Sequence, residues 1–263
     1  MEKPVRAIAL IPAYNASQTI RGVLASIPHP PIDQTVVVDD GSSDSTAQLV
    51  QGVDHTVLLR HTSNRGYGAA QKTVLRFARD HEAQCSVILH ADGGHFPNEI
   101  PLLLDPLFRG DVDVVVGSRV QGIFKSVRPF LGSRFLGATL WGPMPGYKFI
   151  ANRILSRIQN LLFGTHFTDF HSGFRAVTRD ALRRVPFEQF GNWYLFDTEF
   201  MVASSRAGLR VREVPVGTYY SPKAGSRVPS IRYGFAILRF SFQDWLRRHF
   251  KRKRSVPSQP ASP

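Results

Sequence analysis

The sequence holds a single cysteine, Cys85, among its 263 residues. A disulfide within the chain is thereby excluded, which fits a reducing compartment. Because Cys85 adjoins a predicted strand, we expect a small core residue and not a reactive thiol. No stretch approaches the roughly 18 apolar residues of a membrane-spanning helix, and Pro12 interrupts the first apolar run too early for a signal peptide. We therefore expect a cytoplasmic protein, soluble or peripheral at the cytoplasmic face of a membrane.

Acidic residues are scarce in the second half of the chain. Residues 1–118 carry 9 Lys and Arg against 13 Asp and Glu, a net charge of −4, whereas residues 119–263 carry 24 against 7, a net charge of +17. This asymmetry favours a polyanionic partner such as an anionic membrane surface or a nucleic acid. A generally basic protein with solvated charges is the alternative. Nucleic-acid binding is disfavoured because the aromatic residues follow a helical spacing and are not interleaved with basic residues on an exposed sheet.

Apolar runs and amphipathic stretches alternate along residues 1–118. The predicted strands lie at Ala7–Ile11, Thr35–Asp39, Val57–His61, Val87–His90 and Val112–Gly117. The predicted helices lie at Thr19–Ile27, Ser43–Val50, Gly68–His81 and Pro97–Phe108. Alternation at this spacing predicts an α/β fold with a mostly parallel sheet and helices on both faces.

Residues 119–227 are predicted to form the second half of the same domain, which spans residues 1–227. The stretch 120–147 is rich in Gly, Pro and aromatic residues, which predicts a long irregular binding loop. The remaining predicted elements are a helix at Phe149–Phe163, a polar turn at Thr168–Arg175, short helices at Asp180–Val185 and Phe196–Ala207, and a strand at Leu209–Tyr219.

Two of the predicted strands run into aspartate, at Val36-Val37-Val38-Asp39-Asp40-Gly41 and Val87-Ile88-Leu89-His90-Ala91-Asp92-Gly93. Such β-branched runs indicate buried parallel strands, and open α/β sheets bind ligands at the carboxyl ends of their strands. The pair Asp39 and Asp40 suits a nucleoside, whose base N–H can donate to a carboxylate. Asp92 suits a metal that holds a diphosphate. Together these acids indicate an enzyme that uses an activated sugar, although a helix cap with solvated acids would also explain part of the first segment.

Three motifs resemble those of the family 2 glycosyltransferases with the GT-A fold: Ile11-Pro12-Ala13-Tyr14-Asn15, Val38-Asp39-Asp40-Gly41-Ser42-Ser43-Asp44-Ser45-Thr46, and Asn64-Arg65-Gly66-Tyr67-Gly68-Ala69-Ala70. Further matches resemble the dolichyl- or polyprenyl-phosphate mannose synthase group: Asp92, Gly117-Ser118-Arg119, Thr168-Asp169-Phe170-His171-Ser172-Gly173-Phe174-Arg175, and Glu213-Val214-Pro215-Val216. The resemblance covers residues 5–227. It implies a Rossmann-like GT-A fold and hexosyltransferase activity.

The resemblance also implies a nucleotide-sugar site, made by Pro12, Ala13, Tyr14, Asn15, Asp39, Asp40, Asn64, Gly66, Ala91 and Asp92. In this family a D-x-D motif holds a divalent cation, and here it is His90-Ala91-Asp92, with histidine in place of the first carboxylate. Because Mg²⁺ prefers oxygen ligands whereas imidazole suits Mn²⁺, Asp92 and His90 are predicted to hold Mn²⁺ or Mg²⁺ together with diphosphate oxygens. His95 is a further candidate ligand, although a lone loop histidine is more often a surface residue.

Asp169, His171 and Arg175 cluster in the predicted polar turn. Amides and a guanidinium in such a turn suit a bound phosphate, and the resemblance implies that the turn faces the acceptor or the leaving diphosphate. We predict that Asp169 and Arg175 are catalytic and that Arg119, Ser172 and Arg175 bind the acceptor phosphate. The alternative is that Asp169 and Arg175 pair with each other and simply hold the turn.

Asp197 and Glu199 open the helix predicted at Phe196–Ala207, and both are candidate catalytic residues. The resemblance implies that Asp197 lies where many inverting members keep their general base. A hydroxyl acceptor needs such a base, whereas a phosphate acceptor is already ionised near neutral pH. Asp197 therefore favours a hydroxyl acceptor, unless the two acids merely stabilise the helix dipole.

The chain closes with a predicted basic amphipathic helix at 228–250 and a basic tail at 251–263 that should be disordered. A basic amphipathic helix with Trp and Phe is typical of a membrane interface, and a polybasic tail adds attraction to anionic lipid. A helix packed on the sheet is the alternative, since an aromatic stripe can equally be a core face.

These features predict an inverting glycosyltransferase that moves a hexose from a nucleotide-sugar of the GDP-mannose or UDP-glucose type to a polyprenyl-phosphate-like acceptor at a membrane surface. Transfer to a sugar or lipid hydroxyl, with Asp197 as the base, is the alternative within this class. A non-catalytic nucleotide-sugar-binding protein, disabled at His90 and Gly94, is the alternative from another class. No nucleic-acid partner is expected.

Overall fold

The computed structural model describes residues 6–121, 146–219 and 230–254. The strands of these residues are β1 (Ala7–Ala13), β2 (Gln34–Asp39), β3 (Thr56–Arg60), β4 (Cys85–Ile88), β5 (Val114–Ser118), β6 (Arg175–Thr178) and β7 (Val211–Pro215). The helices are α1 (Ile20–Ala25), α2 (Thr46–Val50), α3 (Tyr67–Asp80), α4 (Ile100–Phe108), α5 (Gly146–Phe163), α6 (Arg179–Arg184), α7 (Phe196–Arg206) and α8 (Ser230–Arg254), with 3₁₀ turns at Pro97–Glu99 and Phe187–Gln189.

The strands form one mixed sheet in the order β3-β2-β1-β4-β6-β5-β7. Strand β1 is parallel to β2 and β4, β2 is parallel to β3, and β5 is parallel to β7. Strand β6 is antiparallel to both of its neighbours, β4 and β5. The carboxyl ends of the parallel strands therefore share one edge of the sheet, which is where ligands of open α/β sheets bind.

Strand β6 brings an arginine to that edge from the opposite direction. Its first residue, Arg175, lies opposite Ile88 of β4 and Val116 of β5. The sequence analysis placed Arg175 in a polar turn and missed this strand, because four residues are too few to show an alternation of apolar and polar positions.

The core lies in two layers, one on each face of the sheet. In β1, successive side chains point to opposite faces. Ala7, Ala9 and Ile11 therefore pack with α1 and α4, whereas Ile8 and Leu10 pack with α3 and α7. A strand covered on both faces needs a continuous apolar run, which explains why these strands were recognisable from the sequence.

The predicted mostly parallel sheet with helices on both faces is confirmed, and the five strands predicted in residues 1–118 lie within two residues of their predicted ends. Cys85 is a buried core residue as predicted, and burial raises the pKa of its thiol to about 12.

The second half differs from prediction at its boundaries. Residues 122–145 of the predicted loop and residues 255–263 of the predicted tail lie outside the described residues. Helix α8 continues to Arg254, so the first four residues of the predicted disordered tail are helical; Lys and Arg are good helix formers. None of the helices in the described ranges is both long and apolar enough to cross a bilayer.

Candidate active site

The predicted nucleotide end of the site forms where β1 and β2 end. Pro12 and Ala13 are the last residues of β1. In the loop that follows, the amide of Asn15 donates to Ser42 Oγ at 2.8 Å, which joins this loop to the one after β2. Asn15 has a φ of 44°, a left-handed conformation that asparagine tolerates better than most residues. Tyr14 is left partly exposed beside this junction.

Asp40 organises the loop after β3. Its Oδ1 lies 2.6 Å from His61 Nδ1, and the amides of Arg65 and Gly66 donate to its two oxygens at 3.0 and 2.9 Å. Gly66 has a φ of 98°, and a Cβ there would lie 2.4 Å from a neighbouring carbonyl oxygen, so no larger residue fits. Asp40 therefore holds the loop that carries the predicted nucleotide residues Asn64 and Gly66.

Asp39 is buried beneath an exposed arginine. Its Oδ1 accepts from the Ser42 amide at 3.0 Å, and its Oδ2 accepts from Arg60 Nε at 3.1 Å. The two adjacent aspartates thus have separate partners, which offset their mutual repulsion. Arg60 is the exposed member of this pair, whereas Asp39 has no exposed surface.

A buried polar network links the metal motif to the predicted base position. The Tyr67 hydroxyl donates to Asp197 Oδ2 at 3.0 Å and lies 3.0 Å from His90 Nε2. Gln71, one turn further along α3, donates from Nε2 to the Tyr67 hydroxyl at 2.6 Å. Arg175 Nη1 donates to Asp197 Oδ1 at 2.5 Å. Burial raises the pKa of Tyr67 well above its usual value, so this hydroxyl keeps its proton.

Arg175 has no exposed surface, and its guanidinium lies 4.4 Å from the centre of the Phe200 ring. It pairs with Asp197, so the alternative in which it pairs with Asp169 is wrong. Its predicted contact with an acceptor phosphate does not fit this placement either, because β6 directs the side chain into the core. We propose instead that Arg175 positions Asp197.

Asp169 pairs with Arg119 instead. Arg119 donates from Nε and Nη2 to the two carboxylate oxygens at 2.7 and 2.8 Å, and Asn152 of α5 donates at 2.8 Å. Burial opposes ionisation of Asp169, but the neighbouring Arg119 outweighs it and holds the pKa of this carboxyl well below its usual range. Arg119 keeps part of its surface exposed. Of the two predicted phosphate-binding arginines, it is the one that has exposed surface, and Asp169 orients it.

Glu213 of β7 ties the Asp169 turn to the sheet. Its carboxylate accepts from the amides of Thr168 and Asp169 at 2.8 and 2.9 Å, and burial raises its pKa. In the sequence, Glu213 is recognisable only as part of a motif. Its role follows from a contact between distant segments that no local pattern reveals.

Three polar residues of the site, Tyr67, Gln71 and Asn152, have no role predicted from the sequence. Gln71 and Asn152 lie on the buried faces of α3 and α5. For Gln71, a polar residue on an otherwise apolar helix face is the signal that could have identified it, because buried polar atoms need hydrogen-bond partners. Asn152 shows no such contrast, since the buried residues of α5 are all polar.

Three residues of the predicted acceptor and base segments lie outside the Tyr67 network. Ser172 is fully buried, and among the described residues its hydroxyl has no hydrogen-bond partner. His171 is neutral at pH 7, because burial lowers its pKa to about 4. Glu199 accepts from the Gly191 amide at 2.9 Å, and burial raises its pKa. Glu199 thus holds the loop before α7.

The metal motif presents one carboxylate and one imidazole. Asp92 is exposed, and its Oδ1 accepts from the Gly94 amide at 2.9 Å. His95, expected at the surface, is buried with its ring centre 5.5 Å from that of His90, and burial lowers its pKa to about 3. Within the described ranges, no three His, Cys, Asp or Glu side chains group to hold a metal. His90 and Asp92 therefore fit a cation only as a partial ligand set, which phosphate oxygens would complete.

The chain is similar to known proteins over most of its length. The family described as Glycosyl transferase family 2 matches residues 8–185. The chain is 28% identical over 244 residues to the UDP-N-acetylglucosamine–dolichyl-phosphate N-acetylglucosaminyltransferase of Methanococcus voltae, covering 87% of this chain and 91% of that protein. It is 28% identical over 218 residues to the undecaprenyl-phosphate mannosyltransferase of Micrococcus luteus, covering 81% and 83%.

A solved structure shares the fold. Glucosyl-3-phosphoglycerate synthase from Mycobacterium tuberculosis, in complex with Mn²⁺, UDP and phosphoglyceric acid, superposes with a TM-score of 0.63 over 97% of this chain and 80% of that one. At 18% identity, this structural similarity is evidence for the fold only. The matched residues 8–185 include both strand-end acids and the Asp169 turn. The chain therefore belongs to glycosyltransferase family 2 and is a glycosyltransferase with the GT-A fold.

Proposed function

We propose that this enzyme transfers a sugar, with inversion, from a nucleotide-sugar of the GDP-mannose or UDP-glucose type to a polyprenyl phosphate at a membrane surface. The names of the relatives support the acceptor class, since one acts on dolichyl phosphate and another on undecaprenyl phosphate. The two names differ in the sugar that is transferred, so they do not indicate which nucleotide-sugar this enzyme uses.

The observation that carries the acceptor assignment is the state of Asp197. This carboxylate is 6% exposed, is paired with Arg175, and accepts from the Tyr67 hydroxyl. Both of its oxygens already accept hydrogen bonds, one from Arg175 and the other from Tyr67, which leaves it poorly placed to take a proton from an acceptor hydroxyl. A hydroxyl acceptor needs a base and a phosphate acceptor does not, so the arrangement favours the phosphate.

We assign different residues of the candidate site to the donor and to the acceptor. Asp39 and Tyr14 are assigned to the nucleoside, and His90 and Asp92 to a divalent cation that neutralises charge on the leaving diphosphate when it is bound. Arg119, held in a fixed orientation by Asp169, is assigned to the acceptor phosphate. A preorganised cation of this kind stabilises developing negative charge without reorganising during the reaction.

The membrane part of the proposal rests on two helices that pack together, α5 and α8. Each leaves a line of large apolar side chains exposed: Tyr147, Ile150, Ile154 and Leu161 on α5, and Ile231, Phe235 and Phe242 on α8. Their spacings of three, four and seven residues put each line on one side of its helix. We call these two lines the apolar stripe. Exposed arginines flank it, including Arg157 and Arg239, which suits an anionic lipid surface.

The same two helices border the proposed acceptor site. Asn152 of α5 hydrogen bonds to Asp169, and the Tyr233 ring of α8 lies 6.0 Å from the His171 ring. A lipid held at the apolar stripe would therefore have its phosphate near Arg119.

A transfer assay tests the acceptor class. The protein is incubated with sugar-labelled GDP-mannose, UDP-glucose or UDP-N-acetylglucosamine, with Mn²⁺ or Mg²⁺, and with undecaprenyl phosphate or undecaprenol in the same detergent. We expect label in the lipid only with the phosphate, and a fall of about 10²-fold in Arg119→Gln, the range for loss of one charge-stabilising group. Arg109→Gln, an exposed arginine at the end of α4, is the matched control. Equal transfer to undecaprenol would overturn the acceptor assignment.

A further inference from the structure

We propose that Arg60 recognises the nucleobase of the donor, and that its guanidinium favours guanine over uracil, adenine and cytosine. The inference rests on the proposed donor site, whose nucleoside end lies at Asp39, and it names the base that this site selects. It makes Asp39 a positioning residue, which acts on the nucleoside by holding Arg60.

Three segments meet at the nucleoside end of the proposed site. Asp39 and Arg60 are register partners at the carboxyl ends of β2 and β3, and paired positions of adjacent strands direct their side chains to the same face of the sheet. The loop after β2 lies so close to the loop after β3 that a Cβ on Gly41 would be 2.4 Å from the backbone of Ser63. Ser42 joins the same loop to the one after β1. Arg60 therefore lies at the corner of the sheet where the nucleoside is proposed to bind.

The two aspartates of this corner are covered by other groups. The side chain of Asp39 has no exposed surface, and that of Asp40 is 3% exposed. Each of their carboxylate oxygens already accepts a hydrogen bond from the protein. The side chain of Arg60, in contrast, is 56% exposed and carries only donors. A base at this corner is therefore recognised by its acceptors, and not by an N–H as the sequence suggested.

Arg60 holds Asp39 with only part of its guanidinium. Arg119 and Arg210 each bind an aspartate through two nitrogens, Nε and Nη2, with one carboxylate oxygen for each. Arg60 donates from Nε alone, and the Ser42 amide donates to the other oxygen of Asp39. Among the described residues, Arg60 makes no further hydrogen bond or ion pair. Nη1 and Nη2 thus keep their donors for a ligand, while the Nε contact restrains the plane of the guanidinium.

The four common bases differ in what they present to such a pair of donors. Guanine has two acceptors side by side, O6 and N7, which a guanidinium can bind together. Uracil has one carbonyl, O4, on the corresponding edge, so it accepts only one of the two hydrogen bonds. Adenine and cytosine carry an amino group in place of that carbonyl, which sets one donor against another. The arrangement therefore predicts the tightest binding for GDP, weaker binding for UDP, and the weakest for ADP and CDP.

Calorimetric titration of the full chain with GDP, UDP, ADP, CDP and 7-deaza-GDP, each with Mn²⁺, tests the assignment. In 7-deaza-GDP a C–H group replaces N7, so this nucleotide isolates the second hydrogen bond. Arg60→Met should weaken GDP binding by about 10–100-fold, the range for loss of a two-pronged contact to a base, and should remove the difference between GDP and 7-deaza-GDP. Arg60→Lys keeps the charge but not the planar pair of donors, so it should remove the same difference.

The matched control is Arg210→Met. Arg210 is 58% exposed and donates from Nε to an aspartate at 3.1 Å, as Arg60 does, but it precedes β7 and so lies at the opposite edge of the sheet. This variant should bind every nucleotide as the wild type does. Asp39→Asn should reduce the preference for GDP in the wild-type background and reduce it no further in Arg60→Met, because Asp39 acts through Arg60.

Three outcomes would overturn the inference: tighter binding of another nucleotide than of GDP by the wild type, an unchanged preference for GDP in Arg60→Met, or a further loss in the double variant, which would mean that Asp39 contacts the base itself. Absence of binding of every nucleotide by the wild type would instead contradict the proposed donor site.

Discussion

At the scale of single residues, the site depends on two buried ion pairs, Asp197 with Arg175 and Asp169 with Arg119. Removing charges from water is costly, and a buried pair is tolerated only when further hydrogen bonds satisfy its remaining atoms. Tyr67 and Gln71 provide them for the first pair, and Asn152 provides one for the second. Tyr67 connects the first pair to His90, and within the second pair Asp169 orients Arg119.

Substitution of Gly173 is expected to disturb both stability and the metal motif. Because a Cβ there would overlap His90 and the Tyr67 hydroxyl, Gly173→Ala should destabilise the fold by about 1–3 kcal/mol, as overpacking does, and weaken Mn²⁺-supported nucleotide binding. Denaturant unfolding and nucleotide titration measure the two effects. Gly22→Ala, in α1 with open space around it, should be neutral or stabilising, since glycine within a helix is less stable than alanine by about 0.5–1 kcal/mol.

Removal of the Asp197 charge is expected to be far more damaging than removal of an exposed aspartate. Asp197→Asn leaves Arg175 buried without its counter-charge, which should destabilise the protein by about 3–5 kcal/mol. Asp105→Asn breaks an exposed pair with Arg109 and should cost at most about 1 kcal/mol. Urea unfolding of both variants gives the comparison. Similar losses in the two variants would mean that Asp197 does not support the core pair described above.

At the scale of elements, the apolar stripe of α5 and α8 is expected to insert into anionic bilayers. The double variant Ile150→Ser/Phe235→Ser removes two of its exposed side chains, so vesicle binding should weaken while the thermal midpoint hardly changes. Flotation with vesicles of phosphatidylglycerol and phosphatidylcholine measures binding, which should also fall as salt screens the flanking arginines.

The control for the stripe is Leu102→Ser, which removes an exposed apolar side chain from α4. It should bind vesicles as the wild type does. Equal binding by the stripe variant and the wild type would place the membrane contact elsewhere.

At the scale of the whole molecule, carboxylates with lowered pKa values make the fold sensitive to acid. Burial alone would raise the pKa of Asp44, but its hydrogen bonds to Thr46 and Ser17 lower it to about 2, below the ordinary value near 3.8. In the window between those values the unfolded chain binds more protons than the folded chain. The stability contributed by Asp44 is therefore present above about pH 4 and is lost as the pH falls towards 2.

Comparison of Asp44→Asn with the wild type isolates this contribution from that of Glu199 and Glu213, whose raised pKa values act in the opposite direction. The variant should melt at a lower temperature than the wild type at pH 7, and the difference should narrow as the pH falls from 4 to 2. Melting followed by circular dichroism at pH 7, 4 and 2.5 measures it. A difference in melting temperature that stays constant over this pH range would refute the stabilising role of the Asp44 carboxylate.

Local patterns predicted the parallel strands and the positions of their terminal acids. The segment from Val36 to Asp39 is an example. A strand that is buried on both faces must be apolar, and its end must become polar, so three valines followed by aspartate predict both the strand and its end. The same patterns did not predict β6, which is four residues long, or the partners of Asp40, which come from the loop after β3. Those contacts depend on which segments meet at the sheet edge.

The sequence by itself determined the family, the α/β class and the two strand ends at which acids collect, since each depends on residues that are neighbours in the chain. Only the tertiary structure decided which charges pair. The antiparallel course of β6 places Arg175 beneath Asp197 and leaves Asp169 to Arg119. Two charges pair when they are close in space, whatever their separation in the chain. Arg175 and Asp197 are 22 positions apart, and Arg119 and Asp169 are 50 positions apart. Asp197, the base position implied by the motif, thereby lies in an ion pair with Arg175 in the core.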